Sequence, residues 1–472
     1  MTEKTSQTPL TLAQLTAKKI VVLGAGLTGL SCVRYLKENG LTCTVNDSRK
    51  NALNVDVFKQ DFPSIPLILG RWDKVLIASA DILLVSPGID TSIADIADQI
   101  DENCFVAGDV ELYCQNNNTP ILAVTGSNGK STVVSLLAFI GEKLGKKVEL
   151  GGNIGVPVLD QSKKILDCLV LELSSFQLET LRSMQAIGGT VLNISDDHLD
   201  RHKTLENYIA IKQGIYPQCQ TAVINRDDVS THVEGNVQNV ISFGSGPATQ
   251  GHFGLDIIDG QTQCMFGSTA LVGVNKLPIA GLHNALNCLA VLALGHCAGW
   301  PINKMVEHLI EFKSLEHRCQ LISTYKSVQW INDSKATNVG ATLAAIEGLA
   351  AMMSATNNLY VIVGGEGKGA DFSPLQAVIA KYVEHVFTLG KDGNKLALLA
   401  KQAQTKNTQV ISIEEAVNTL GDIAKSGDIV LLSPACASID MFKNFAERGD
   451  VFVNAVNNIA LQNKTQLLGE VN

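Results

Sequence analysis

Short runs rich in Val, Ile and Leu alternate with helix-forming stretches along nearly the whole chain, and no other feature restricts its fold as tightly. A strand feeding a helix that returns to a parallel strand is the repeating unit of α/β domains, so the alternation predicts parallel sheets covered by helices. The runs fall into three series. KIVVLG, TCTVND and DILLVSPG form the first; PILAVTG, KKVELGG, CLVLELS, GTVLNIS and TAVIN the second; VQWINDS, LYVIVGG, HVFTLG, TQVISI and DIVLLSP the third. Three α/β domains are expected over 1–108, 109–314 and 315–472, in keeping with 472 residues at ~100–200 residues per domain. Between about Val240 and Pro278 the pattern shortens into strands with Gly-rich turns, expected as an antiparallel addition to the middle sheet.

The second series opens on AVTGSNGKST (Ala123–Thr132), a strand running into a turn and then a helix. Backbone N–H groups and the positive end of the helix dipole converge at such a turn, which therefore attracts phosphate. The full phosphate-loop pattern asks for glycine where this chain has Val124, but the donors after Gly126 remain. Lys130 is positioned to reach terminal phosphates, and the Ser131 hydroxyl to hold Mg²⁺.

Near the N-terminus, GAGLTG (Gly24–Gly29) follows a strand, opens a helix, and precedes Asp47 by roughly 20 residues, the dinucleotide-binding spacing. Its physical content is a close backbone approach suited to a pyrophosphate, whether of a dinucleotide or of a nucleotide sugar; a purely structural glycine turn is the alternative. Ser86, Pro87 and Gly88 end another strand of the same series and belong on the same rim, unless they form an ordinary turn.

An ATP site needs an acidic group at a neighbouring strand end, and CLVLELSSFQ supplies Glu172; a carboxylate that only caps a helix is the alternative. TVLNISDDHLDRH then sets Asp196, Asp197, His198, Asp200 and His202 after another strand end. Most of these are expected as solvated loop charges, with His198 the metal-binding or proton-handling candidate.

The net charge of −9 argues against a protein that neutralises nucleic-acid phosphates with clustered cations, so small-molecule partners are expected. Eleven cysteines without a C-x-x-C pair indicate reduced thiols rather than a disulfide framework or zinc site. The most apolar internal stretch, ALNCLAVLALGHCAGW, contains Asn287 and His296 and falls short of the ~20 apolar residues a bilayer needs. A soluble cytoplasmic protein, acting as a monomer, is the expectation.

Taken together, TGSNGKST, GGNIG, LELSSFQLET, NISDDHLDRH, HNALN, HR (His317, Arg318), INDSKATN and LLSPACASIDMFKNFAERG resemble the Mur ligases, in that family's order and over most of the chain. The resemblance implies a Rossmann-like N-terminal domain for a UDP-sugar substrate, a central P-loop ATPase-type domain with a parallel sheet, and a Rossmann-like C-terminal domain for the incoming amino acid. NDSKATN and GAGLTG point to D-glutamate as that amino acid and UDP-N-acetylmuramoyl-L-alanine as acceptor, hence ATP-dependent amide-bond formation through an acyl phosphate in peptidoglycan precursor synthesis.

By the same resemblance, Gly126, Ser127, Asn128, Gly129, Lys130, Ser131 and Thr132 cradle ATP, with Asn284, Asn287, Arg318 and Asp333 around the rest of the nucleotide. Ser131 and Glu172 hold one Mg²⁺; His198 and Lys212 serve a second. Thr28, Asp47, Arg49, Ser86, Pro87 and Gly88 bind the UDP-sugar, with Asn153 and Ser174 nearer its reacting end. Lys335, Thr337, Lys368, Ser438 and Phe445 match D-glutamate, whose two carboxylates need cations and hydroxyl or backbone donors. Lys130, His198 and Lys212 are the catalytic set. Judged by its residue pattern alone, Lys212 is an unremarkable helix-surface lysine. A plain ammonium about 4 Å from a unit positive charge costs about 4 kcal/mol at an effective dielectric near 20, so the implied role requires carbamylation to a carboxylate-like ligand.

Two other functions remain to be weighed. A nicotinamide oxidoreductase follows from GAGLTG and Asp47 but gives TGSNGKS and Glu172 no work. A P-loop motor or regulatory ATPase would hydrolyse ATP without any acceptor.

Overall fold

The computed structural model describes residues 11–469 apart from 198, 234–236, 280, 314, 352 and 355. Its chain divides into two compact units. One runs to Gly254 and adds Met265–Thr269 and Leu289–His308; the other comprises Leu255–Cys264, Ala270–Cys288 and the chain from Leu309.

In the first unit, β1 (Ile20–Leu23), β2 (Thr44–Asp47), β3 (Leu67–Leu69), β4 (Ile82–Val85) and β5 (Phe105–Ala107) form a sheet in the order β3-β2-β1-β4-β5, all parallel. β1 and β4 are buried at every position, as expected for strands covered on both faces. A second sheet contains β6 (Ile121–Thr125), β7 (Val148–Gly152), β8 (Cys168–Glu172), β9 (Gly188–Val191), β10 (Thr221–Asn225) and β11 (Asn239–Phe243), ordered β11-β10-β9-β6-β8-β7 and again parallel. One cluster of buried apolar side chains runs from Leu15 to Ala222 through both sheets. Arg34 reinforces the junction with a two-pronged contact to Asp160, at 2.9 and 2.5 Å.

β12 (Phe253–Ile258), β13 (Gln261–Phe266) and β14 (Thr269–Gly273) make a separate three-stranded sheet. Asp259 and Gly260, both at positive φ, form the two-residue turn joining β12 to β13, a connection that only antiparallel neighbours permit. The expected antiparallel strands therefore exist but do not extend the parallel sheet, whose edge is β11.

The second unit carries β15 (Gln320–Ser323), β16 (Gln329–Asn332), β17 (Leu359–Gly364), β18 (Val383–Leu389), β19 (Lys406–Gln409) and β20 (Ile429–Leu432), ordered β15-β16-β20-β17-β18-β19. All neighbours are parallel except β15 with β16. TQVISI had been expected as a strand throughout, but β19 ends at Gln409. Ser412 instead caps the helix Ile413–Ile423 by accepting from Glu415 N, and Ile413 is buried as its first residue.

In sheets of this kind ligands sit beyond the carboxyl ends of the strands, where the order reverses. That rule selects the ends of β1 and β4, of β6 and its neighbours, and of β16, β20 and β17.

Candidate functional site: a phosphate loop with two converging lysines

Val124, the residue that departs from the phosphate-loop pattern, is the penultimate residue of β6, fully buried and in register with Glu172 and Thr190. The turn itself begins at Gly126 (φ +147°) and ends at Gly129 (φ +84°), which caps the helix Lys130–Lys143. Glycine is required where φ is positive and the chain packs closely: a Cβ on Gly126 would lie 3.1 Å from Leu192. The loop is held by the segment after β9. Ser127 N–H donates to Asn193 O (2.9 Å), Asn128 N–H to Asn193 Oδ1 (2.9 Å), and Ser195 N–H to Ser127 Oγ (2.9 Å).

Lys130 folds back over this loop, donating to Gly126 O (2.7 Å) and Ser127 O (2.9 Å). Lys212, on the helix Leu205–Gln213, donates to the same Gly126 carbonyl (3.0 Å) and to Thr125 Oγ1 (3.3 Å). Here the structure corrects the surface reading of Lys212, which is only 1% exposed. Burial first, and then the nearby charge of Lys130, push its amine well below the ordinary lysine range.

At the helix start, Ser131 Oγ donates to Glu172 Oε2 (2.6 Å), while Asn153 Nδ2 donates to Glu172 Oε1 (2.8 Å). Glu172 is 3% exposed, so a hydroxyl and a carboxylate face each other in a shielded place beside the phosphate loop. Such hard oxygen donors suit Mg²⁺. Among the described residues, no group of three or more His, Cys, Asp and Glu is gathered as a metal cage. His198 lies outside the described residues. Of the acidic and His residues around it, Asp196 is exposed and Asp197 half-buried, but His202 is 1% exposed rather than solvated. Its Nε2 lies 2.9 Å from Ser175 Oγ and its Nδ1 3.4 Å from Glu179 Oε1.

At the ends of β1 and β4, Gly29 packs so tightly on Gly24 that a Cβ would lie 1.8 Å from Gly24 O. Asp47 does not stand free: Oδ2 accepts from Ala25 N (2.8 Å) and Arg49 Nη2 (2.7 Å), and Oδ1 from Arg49 Nε (3.0 Å). Burial alone would raise its carboxyl, but these bonds outweigh burial and hold it below the usual range. Thr28 is half-buried on the helix that GAGLTG opens, and Ser86 Oγ is buried without a hydrogen-bond partner. Ser86 and Pro87 share a depression with Asp109, Phe176, Glu179 and Thr180, next to Ser174, whose hydroxyl caps the helix Ser175–Leu178. Glu179 and Arg201 went unnoticed in the sequence; Arg201 Nη2 meets Glu179 at 2.6 Å, with Nε 3.5 Å from Asp90. Their only signal was their place in LELSSFQLET and DDHLDRH.

The remaining residues belong to the second unit. Asn284 and Asn287 are buried near the start of the helix Leu282–Cys297, and Asn287 Nδ2 donates to Asn284 Oδ1 (3.2 Å). Asp333 accepts from Ser433 Oγ (2.9 Å) and Cys319 N (3.1 Å), and burial pushes its carboxyl up to about 7 despite Arg318 nearby. Beyond β16, Lys335 Nζ lies 3.9 Å from the centre of the Phe445 ring, and Thr337 N–H donates to Lys335 O (2.8 Å). Lys368, beyond β17, sits at φ +50°, and Ser438, beyond β20, is buried. A bridge between Glu366 and Ala437 ties these last two loops together. Arg448 was also missed: it is 2% exposed and binds Ser334 Oγ (3.0 Å), Ser334 O (2.8 Å) and Cys436 O (3.0 Å), bracing the loops after β16 and β20.

Three family models match in order: the Mur ligase MurD-like N-terminal domain over residues 18–108, the Mur ligase middle domain over 124–295, and the Mur ligase glutamate ligase domain over 317–436. The UDP-N-acetylmuramoylalanine–D-glutamate ligase of Colwellia psychrerythraea is 52% identical over 93% of this chain and 96% of its own length. The chain belongs to the Mur ligase family. The ligase of the same description from Shewanella violacea is 43% identical, over 92% of this Mur ligase and 94% of its own length. Among solved structures, MurF ligase from Thermotoga maritima in complex with ADP superposes with a TM-score of 0.58 at 17% identity, covering 96% of this chain and 97% of that one. A pseudomurein peptide ligase type C from Methanothermus fervidus gives 0.58 at 21%, covering 93% and 100%. Both structures share this Mur ligase's fold.

Proposed function

We propose that this Mur ligase joins the amine of D-glutamate to the L-alanine carboxylate of UDP-N-acetylmuramoyl-L-alanine, with cleavage of ATP, as a cytoplasmic monomer in peptidoglycan precursor synthesis. The observation that carries the reading is the Ser131–Glu172 pair beside the Lys130 loop, in a chain whose full-length relatives bear that ligase's name. No helix among the described residues is long and apolar enough to cross a membrane, which accords with a small-molecule enzyme of this kind.

A carboxylate is a poor electrophile, because its charge is delocalised and oxide is a bad leaving group. In the proposed course a carboxylate oxygen of the precursor bonds to the γ-phosphorus as the bond to ADP breaks, giving an acyl phosphate. The D-glutamate nitrogen then bonds to that carbonyl carbon, loses a proton, and the C–O bond to phosphate breaks. Lys130, held over the loop by two carbonyls, supplies a fixed cation where the terminal phosphates would lie. Ser131 and Glu172 would hold one Mg²⁺, and His198 with Lys212 a second; bound there, the ions supply charge neutralisation for the meeting of two anions.

The buried Lys212 fits this scheme only once modified. Its depressed basicity leaves more free amine than an ordinary lysine at neutral pH, and that amine can add to CO₂, releasing a proton and leaving a carbamate. His198 is assigned to the second ion or to the amine's proton by resemblance. Asn153 and Ser174 would face the reacting end of the precursor, and Thr28, Asp47, Arg49 and Ser86 to Gly88 its nucleotide end. Asn284, Asn287, Arg318 and Asp333 would complete the ATP contacts, and Lys335, Thr337, Lys368, Ser438 and Phe445 would receive D-glutamate.

The test is phosphate release with the UDP-sugar alanine precursor and a panel of D- and L-amino acids. Release that needs both the precursor and D-glutamate is expected; equal release without either would return the chain to the simple ATPases.

A further inference from the structure

Lys368 occupies a left-handed backbone position, φ +50°, that a lysine adopts only when its surroundings impose it. The loop that imposes it, Gly364–Gly369, is gripped from three directions. Gly365 N–H donates to Leu389 O (3.1 Å), Glu366 and Ala437 exchange backbone hydrogen bonds (both 2.9 Å), and Asp392 grips the residue just before Lys368. Asp392 Oδ2 accepts from Gly367 N–H at 2.7 Å, and Asp392 N–H returns a bond to Gly365 O at 2.9 Å. The aspartate is 8% exposed, at the start of the helix Gly393–Gln402, and its Oδ1 meets Lys395 Nζ at 2.7 Å. Lys395 first, then the Gly367 N–H, keep the carboxyl below its usual range, so it accepts as a full anion. The same turn is tied further by Lys391, whose N–H donates to Asp440 Oδ2 (2.8 Å) and whose Nζ meets Glu366 at 2.6 Å.

We infer that Asp392 is a positioning residue for the amino-acid substrate: its carboxylate fixes the Gly367 peptide, and through it the strained backbone that aims the Lys368 ammonium at a substrate carboxylate. The inference rests on the reading of Lys368 as a D-glutamate ligand. Asp392 itself touches no substrate. Its removal frees the peptide before Lys368 to relax toward an ordinary conformation and carries the ammonium away from its target, which weakens D-glutamate binding and leaves ATP binding untouched.

Steady-state kinetics of the full chain decide it. Asp392→Ala is expected to raise KM for D-glutamate about tenfold or more, the loss of one charge-assisted hydrogen bond, with KM for ATP close to the parent's. Asp392→Asn keeps an oxygen that can accept from Gly367 and is expected to restore most of the affinity. Gly367→Ala attacks the contact from the other side, since its Cβ would lie 2.6 Å from the Phe372 ring and 3.2 Å from Asp392 Oδ2; it is expected to raise the same KM even where Asp392→Ala fails to fold. Lys368→Ala separates the two layers of the argument. If it raises KM for D-glutamate while Asp392→Ala and Gly367→Ala do not, the role given to Asp392 is overturned and the Lys368 reading stands. If Lys368→Ala leaves that KM unchanged, both are overturned. A parallel rise in the ATP and D-glutamate constants of Asp392→Ala, unrelieved in Asp392→Asn, would reduce Asp392 to general scaffolding.

Discussion

Lys212 shows how far a single residue can stand from its sequence appearance. Nothing in NYIAIKQGIY marks it as buried, because Tyr208, Ile211 and Lys212 are equally compatible with a half-exposed helix; only the fold turns its ammonium toward Gly126 O beside Lys130. The unmodified amine is a liability. Since its folded-state basicity is depressed, the folded chain binds fewer protons than the unfolded chain, so stability falls as pH drops below the ordinary lysine value of 10.5 toward the depressed one. Lys212→Met is therefore expected to abolish ligation while raising Tm at neutral pH in CO₂-free buffer and flattening the alkaline rise in stability. Thermal melts across that range check it; a lower Tm with an unchanged pH slope would show that the amine is not a buried, proton-poor group. The opposite case is Glu172, expected from CLVLELSS at a strand end beside the phosphate loop and found there with Ser131 as a partner; its contact with Asn153, which the family resemblance had set toward the precursor, was not read from the sequence.

Among the elements, long β-branched strands were legible and short edge strands were not. β3 and β5, with three residues each, and β15, four residues at the sheet edge beside the antiparallel β16, carry too few positions to show a period. TQVISI was misread because Ile413 is apolar for a helix's buried face rather than a strand's. Glycine-rich junctions proved more informative than propensity. Gly152 ends β7 at φ +88°, in register with Glu172, and a Cβ there would lie 2.2 Å from Glu172 O. Gly152→Ala is expected to cost about 1–3 kcal/mol in stability through the backbone strain alone, and to displace Glu172 enough to cut kcat about tenfold or more. Denaturant melts and phosphate-release rates measure both; a variant normal in each would show that Glu172 does not depend on this close approach.

For the whole molecule, the alternating pattern was enough to predict three parallel α/β sheets, and the motifs in their order were enough to place the family. What the pattern could not convey is packing beyond the sheets. The core shared by the first two sheets, the separate β12–β14 sheet and the arginine brace at Arg448 depend on contacts between residues far apart in sequence. The central proposal is chemical: ATP would transfer its terminal phosphoryl group to the precursor's carboxylate before the amine attacks it. Labelling that carboxylate with ¹⁸O and analysing the released phosphate tests the claim directly. One labelled oxygen per phosphate is the predicted result, and phosphate carrying no label would contradict the account.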